Sequence, residues 1–193
     1  MQLSEQIETE RLILKHPLNP TFELAKELYA VVDESRNTLR EWLPWVDKTN
    51  SPEDEFSGFL MKGLKKNWDE KIGCAYLIYH KETNRFLGVV DLMHISEENK
   101  SGEIGYWLGD KATGHGYMQE AVRALETEAF QAGINRIIIR NDTQNLRSAR
   151  VAEKAGYTLE GIMRQDVWDD YHKRLRDTNI WAKLKSDWEK ERG

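Results

Sequence analysis

The chain has 193 residues, 39% hydrophobic and 32% charged, with seven Trp, seven Tyr and a single Cys. That length suits one domain with a sizeable core, and so many aromatic side chains exclude a disordered chain. Thirty-three acidic against 28 basic side chains give a net charge of −5, which argues against a general binder of nucleic acid or anionic membranes.

The opening MQLSEQIETERL has neither a basic n-region nor an apolar h-region, so no secretory leader is expected. Residues 11–15 (Arg-Leu-Ile-Leu-Lys) predict a first strand, stopped by His16-Pro17. Asn19-Pro20 then predicts a helix start with Asn as cap, followed by Leu24, Leu28 and Val31 as its apolar stripe. After the aromatic loop Trp42-Leu43-Pro44-Trp45, a second helix opens at Ser51-Pro52-Glu53-Asp54, a capping-box-like start with an acidic first turn. Phe56, Phe59, Leu60, Leu64 and Trp68 follow at helical spacing. Residues 72–80 are the longest run without Asp, Glu, Lys or Arg, nine residues where a membrane helix needs about 20.

From Gly73 the rhythm changes to short strands. Residues 74–79 and 86–93 read as a hairpin around the turn-rich 81–85, and Cys74 falls in its apolar part as a core residue. With one cysteine, no intrachain disulfide or cysteine zinc cluster can form. A polar turn at 97–101 leads to a strand over 103–108. Period-two alternation sends Ile104, Tyr106 and Leu108 to one face and Glu103, Gly105 and Trp107 to the other. Gly114-His115-Gly116 opens a helix carrying Ala121, Val122, Leu125 and Ala129, closed by Gly133. Residues 137–139 form a strand, Asn145 caps a helix ending at Gly156, and 157–163 and 178–184 close the chain as strands. The expected fold is α+β, one domain over 1–193. It has a single mixed, largely antiparallel sheet of about seven strands and about four helices.

The segment Thr113-Gly114-His115-Gly116-Tyr117-Met118 joins a strand to a helix. Its two glycines allow a tight turn and close backbone approach, and the helix behind it offers unpaired N–H groups to an anion. A plain tight turn would need the same glycines. Neither a P-loop nor a dinucleotide fingerprint fits, since no Gly-Lys-Ser/Thr follows and Gln119 stands where the latter needs Gly or Ala.

Before this turn stands Glu103-Ile104-Gly105-Tyr106-Trp107-Leu108; after it come Asn145-Leu146-Arg147-Ser148-Ala149 and Lys154-Ala155-Gly156-Tyr157. The ensemble resembles the GNAT superfamily of acetyl-CoA-dependent N-acetyltransferases, most closely the bacterial branch that acetylates N-terminal amines of ribosomal proteins. The likeness runs from Glu10-Arg11-Leu12 through Leu39-Arg40-Glu41-Trp42-Leu43 and Leu159-Glu160-Gly161 to the closing segment 181–188. Two departures stand out. Thr113 and Met118 occupy places where the superfamily's turn usually has Arg or Gln and Gly or Ala. Ala152 stands where many relatives carry a tyrosine acid.

Composition, the single cysteine and the N-terminal segment lead one to expect a cytoplasmic protein, and the resemblance implies an enzyme that uses acetyl-CoA; no metal is expected. Trp107, Leu108, Thr113, Gly114, His115, Gly116, Tyr117, Met118 and Asn145 would hold the coenzyme. Glu103 would be the base, working through water, and Ser148 the acid at the leaving thiolate. In blander terms, Glu103 pairs with a neighbouring charge, Asn145 is only a cap, and Ser148 satisfies a backbone group. The acceptor would be a peptide or protein N-terminus, whose amine titrates at about 7.7–8.0 and needs only a modest base. A polyamine, amino acid derivative or aminoglycoside is the rival acceptor, and a non-catalytic acyl-CoA-binding domain the rival from another class. His16, His80, His94, His115 and His172 show no metal-ligand spacing. Asp166, Asp169, Asp170 and His172 read as a solvated loop or a substrate rim. Trp42 and Trp45 could wall an amine groove, pack a homodimer interface or fill the core.

Overall fold

A computed structural model describes residues 3–193; Met1 and Gln2, the start of the segment read as lacking a leader, lie outside the described residues. Eight strands form one sheet: β1 (Gln6–Glu8), β2 (Leu12–Lys15), β3 (Cys74–His80), β4 (Phe86–Ser96), β5 (Ser101–Leu108), β6 (Arg136–Asp142), β7 (Thr158–Asp169) and β8 (Arg174–Leu184). Their order is β1-β2-β3-β4-β5-β6-β8-β7, and every neighbouring pair is antiparallel except β5–β6. The α+β mixed sheet matches the reading from sequence. The added strand is β1, whose Gln6 and Glu8 are exposed and whose one apolar residue, Ile7, packs on the core; three residues set no apolar pattern, and they form a strand because β2 is there to pair with.

On one face lie α1 (Phe22–Glu34), the short α2 (Arg36–Leu39) and a continuous helix built from α3 (Pro52–Asp54), a π-helical stretch over Glu55–Lys65 and α4 (Lys66–Asp69). On the other lie α5 (Tyr117–Gln131) and α6 (Leu146–Lys154), and α7 (Lys185–Arg192) closes the chain. The α1 cap is Thr21, whose hydroxyl accepts from the Leu24 N–H, and not Asn19. Its buried stripe is Ala25, Leu28 and Val32, flanked by Leu24 and Val31. At the next helix Ser51 caps as expected, accepting from the Asp54 N–H. No apolar stripe marks α7; it is held by Trp188, whose ring packs 5.7 Å from that of Phe130.

Two cores follow from the alternation along the strands. Ile104 joins Met118, Ala121, Val122, Leu125 and Ile139 under α5 and α6. Trp107 joins Leu28, Val32, Leu60, Leu77 and Val89 under α1 and its partners. Cys74 is buried in the first core, where loss of water pushes its thiol up to about 12.

The feature that makes a site is where pairing stops. β5 and β6 pair only from Ser101↔Arg136 to Glu103↔Ile138. Beyond that, β5 continues along β4 to Leu108, and β6 continues along β8 to Asp142. The strands therefore diverge, and the edge of residues 104–108 facing β6 has no strand to bond.

Candidate active site

A cleft of about 1270 Å³ fills this divergence. Its walls are residues 103–108, the turn before α5, the start of α6, the ends of β6 and β8, and Thr38, Leu39 and Glu41–Leu43 beyond α1. A second hollow of about 620 Å³ beside α1 is lined by Tyr29, Asp33 and Arg36. Arg36 is already engaged there with the carbonyls of Val46 and Thr49, so that hollow has little free chemistry.

The glycine turn is built as its sequence predicts. Gly114 and Gly116 sit at φ of +84° and +79°, left-handed values that a β-branched side chain resists. Gly116 is the N-cap of α5, so the first amides of that helix open toward the cleft with the positive end of its dipole. Arg11, from the segment before β2, donates to the His115 carbonyl at 3.0 Å and is itself held by Glu120. Thr113 turns its hydroxyl back to the Asp110 carbonyl, 2.9 Å away. Of the nine residues expected to hold a coenzyme, Tyr117 alone does not line the cleft. Its ring packs against His80, His115 and Arg11 instead. The Trp107 ring is likewise in the core, against Trp45 and Phe86. Trp42 lines the cleft, so the two loop tryptophans divide between groove and core.

At the start of α6, the Asn145 side chain accepts from the Ser148 N–H at 3.0 Å and caps the helix. The Ser148 hydroxyl is thereby spared a capping duty and lies 3.0 Å from the Tyr106 hydroxyl. Tyr106, on β5, is a partner the sequence reading did not assign. Burial pushes its phenol up to about 12, so it stays protonated at neutral pH.

Glu103 lies on the opposite face of β5. One carboxylate oxygen accepts from Arg140 Nε at 3.1 Å, and the other is 3.2 Å from His94 Nδ1. Both interactions join residues far apart in sequence or separated by an irregularity. His94 reaches Glu103 because β4 slips register between Met93 and Ser96, with His94 itself at φ +50°. The Glu103 side chain is largely buried and that of His94 is mostly exposed, so the pair links the cleft floor to solvent. A carboxylate accepts about four hydrogen bonds, so Glu103 retains capacity for a water or an amine.

Beside it, Asp91 Oδ1 is buried without a partner. It occupies the space over Gly105, where an added Cβ would come within 2.5 Å of that oxygen. Burial, reinforced by the Glu103 charge, raises the Asp91 carboxyl to about 6. The unfolded value is about 3.9, so the native state binds the extra proton. This stabilisation is complete below about pH 4 and is lost as pH rises through about 6. Asp91→Asn is therefore expected to raise stability at pH 7 by on the order of 1–3 kcal/mol and to flatten its pH dependence between about 4 and 7. Thermal melts across that range check it, and equal melting points at pH 7 would contradict it.

At the far end, Asp142 accepts from Arg174 at 2.8 Å, and Asp169 accepts from His172 Nδ1 at 2.8 Å. Asp166 and Arg176 line the cleft here. Among the described residues no group of three His, Cys, Asp or Glu could hold a metal ion, and no helix is long and apolar enough to cross a membrane.

Residues 11–158 match the family model described as an acetyltransferase (GNAT) domain. The ribosomal-protein-serine acetyltransferase of Escherichia coli (strain K12) is 28% identical over 191 residues, covering 95% of this chain and 96% of that one. The solved structure of RimL, a ribosomal L7/L12 alpha-N-protein acetyltransferase in complex with coenzyme A, is 27% identical, with a TM-score of 0.84 over 93% of this chain and 98% of that one. The microcin C7 self-immunity acetyltransferase MccE, solved with acetyl-CoA and AMP, is 25% identical, with a TM-score of 0.83 over 91% and 93%.

Proposed function

Because this chain belongs to the GNAT acetyltransferase family and is an N-acetyltransferase, we propose that it moves the acetyl group of acetyl-CoA directly to the α-amine of a polypeptide, such as a ribosomal protein. The observation that carries this reading is the divergence of β5 and β6. It puts the glycine turn and Ser148 at one side of a single cleft and Glu103 at the other.

In this reading, amides at Gly114–Met118 take the coenzyme pyrophosphate, and the unpaired edge of residues 104–108 takes the pantetheine arm and the thioester carbonyl. Glu103 draws the amine proton through a water, and His94 passes it to solvent. The amine nitrogen bonds to the acetyl carbon, the carbon–sulfur bond breaks, and Ser148 protonates the leaving thiolate. The Tyr106 hydroxyl, which stays protonated, holds the Ser148 hydroxyl in place, and Ser148 regains its proton from water in the cleft. These paired groups exceed what a pure binding domain would need. With its thiol suppressed in the core, Cys74 is no nucleophile, so transfer needs no acetyl-enzyme.

The likeness to RimL and the E. coli relative supports a protein N-terminus, and the AMP bound by MccE along with acetyl-CoA supports a small-molecule acceptor as the second reading. Coenzyme thiol release measured with an N-terminally free peptide, a polyamine and a lysine derivative separates them. The peptide is expected to give the highest kcat/KM, and polyamine preference would reverse the order of the two readings.

A further inference from the structure

We propose that Arg176 reads the carbonyl oxygen next to the reacting amine, so that the site selects amines carried on a peptide unit over bare alkylamines; this rests on the acetyl-transfer reading above. Thr178 pairs with Asp142 across the β6–β8 ladder, and Arg176 stands two residues before it, opposite Val167 on β7. Period two puts Arg176, Thr178, Asp142 and Arg140 on one face of the sheet. Glu103 is on that face too, through its register with Ile138. Arg176 thus shares a face with Glu103, at the end of the cleft where the β6–β8 pairing stops.

Arg176 is only 8% exposed, and its Nε–H has no hydrogen-bond partner. The nearest anion, Asp142, is 3.9 Å from the other end of the guanidinium, and its two oxygens are taken by Arg174 and the Gln144 N–H. A buried charged donor with nothing to donate to is costly, and a ligand oxygen removes the cost. Asp166 supplies the complement: it also lines the cleft, and its Oδ2 is buried without a partner. One orphaned donor and one orphaned acceptor match the C=O and N–H of a peptide bond. A polyamine brings donors alone and leaves Arg176 stranded. A free carboxylate offers the same oxygen chemistry, but Asp142 and Asp169 already offset Arg174 and Arg176. A neutral carbonyl is the better fit.

The test uses the full chain with acetyl-CoA and three acceptors that share an N-terminal residue: a short peptide, the same peptide with its first amide replaced by an alkene isostere, and the free amino acid. The wild type is expected to lose on the order of 10- to 100-fold in kcat/KM on the isostere, mainly through KM, as for one charge-assisted hydrogen bond. The free amino acid should also fall below the peptide. In Arg176→Met the peptide-to-isostere ratio should collapse to about 1–3. The wild-type comparison holds even where that variant folds poorly. Equal use of peptide and isostere by the wild type, an unchanged ratio in a folded Arg176→Met, or a free amino acid matching the peptide would each overturn the assignment while leaving acetyl transfer standing. No transfer to any of the three would overturn both.

Discussion

Glu103→Gln is expected to lower kcat by about 10²–10⁴, the contribution typical of a positioned general base, with the dissociation constant for acetyl-CoA changed less than about twofold. The reasoning starts from what Gln keeps. Its carbonyl oxygen can still accept from Arg140, and its amide can still meet His94, so the fold and the cleft survive. What it loses is the capacity to take a proton from an amine. The loss should therefore appear in turnover and not in coenzyme binding, which is assigned to the turn before α5 and the edge of β5. Pre-steady-state turnover and a CoA titration on one preparation measure both. Wild-type kcat in the Gln variant would leave Glu103 as a structural partner of Arg140 and His94.

Ser148→Ala is expected to slow turnover by about 10²-fold while costing only about 1 kcal/mol of stability. In a first helical turn a serine often caps, and removing a cap costs about 0.5–2 kcal/mol with little kinetic effect. Here Asn145 already caps the helix, so the Ser148 hydroxyl is free to meet Tyr106. An acceptor-independent drop in kcat, relieved when the coenzyme is replaced by one with a more acidic thiol, would mark Ser148 as the acid. A stability loss with unchanged kcat would reduce it to a partner for the Tyr106 hydroxyl.

Local signals made much of this legible from the chain itself. Alternation along residues 103–108 foretold that Ile104 and Trp107 would serve opposite cores. Gly114, Gly116 and Gly133 marked the ends of α5 because each holds a positive φ. Asn145 announced the α6 cap. The departures were those that local patterns do not encode. Asn19-Pro20 suggested a helix start two residues too early, while Thr21 holds the cap. β1 and α7 exist through tertiary partners, since neither carries an apolar period of its own. The groups around the two chemical centres were the least visible. Tyr106 reaches Ser148 across 42 residues, Arg140 reaches Glu103 across 37, and His94 arrives through a register slip. Such pairs are set by which strand ends where, and no residue spacing reports that. The unpaired atoms of Asp91, Asp166 and Arg176 belong to the same class.

The most direct measurement is to incubate the protein with isotopically labelled acetyl-CoA and a bacterial lysate stripped of small molecules, then map every labelled site by peptide mass spectrometry. Label concentrated on the α-amines of a few polypeptides, and absent when Glu103→Gln replaces the wild type, is the expected result. Label confined to lysine side chains, or restored only when small amines are returned to the lysate, would contradict polypeptide N-terminal acetylation.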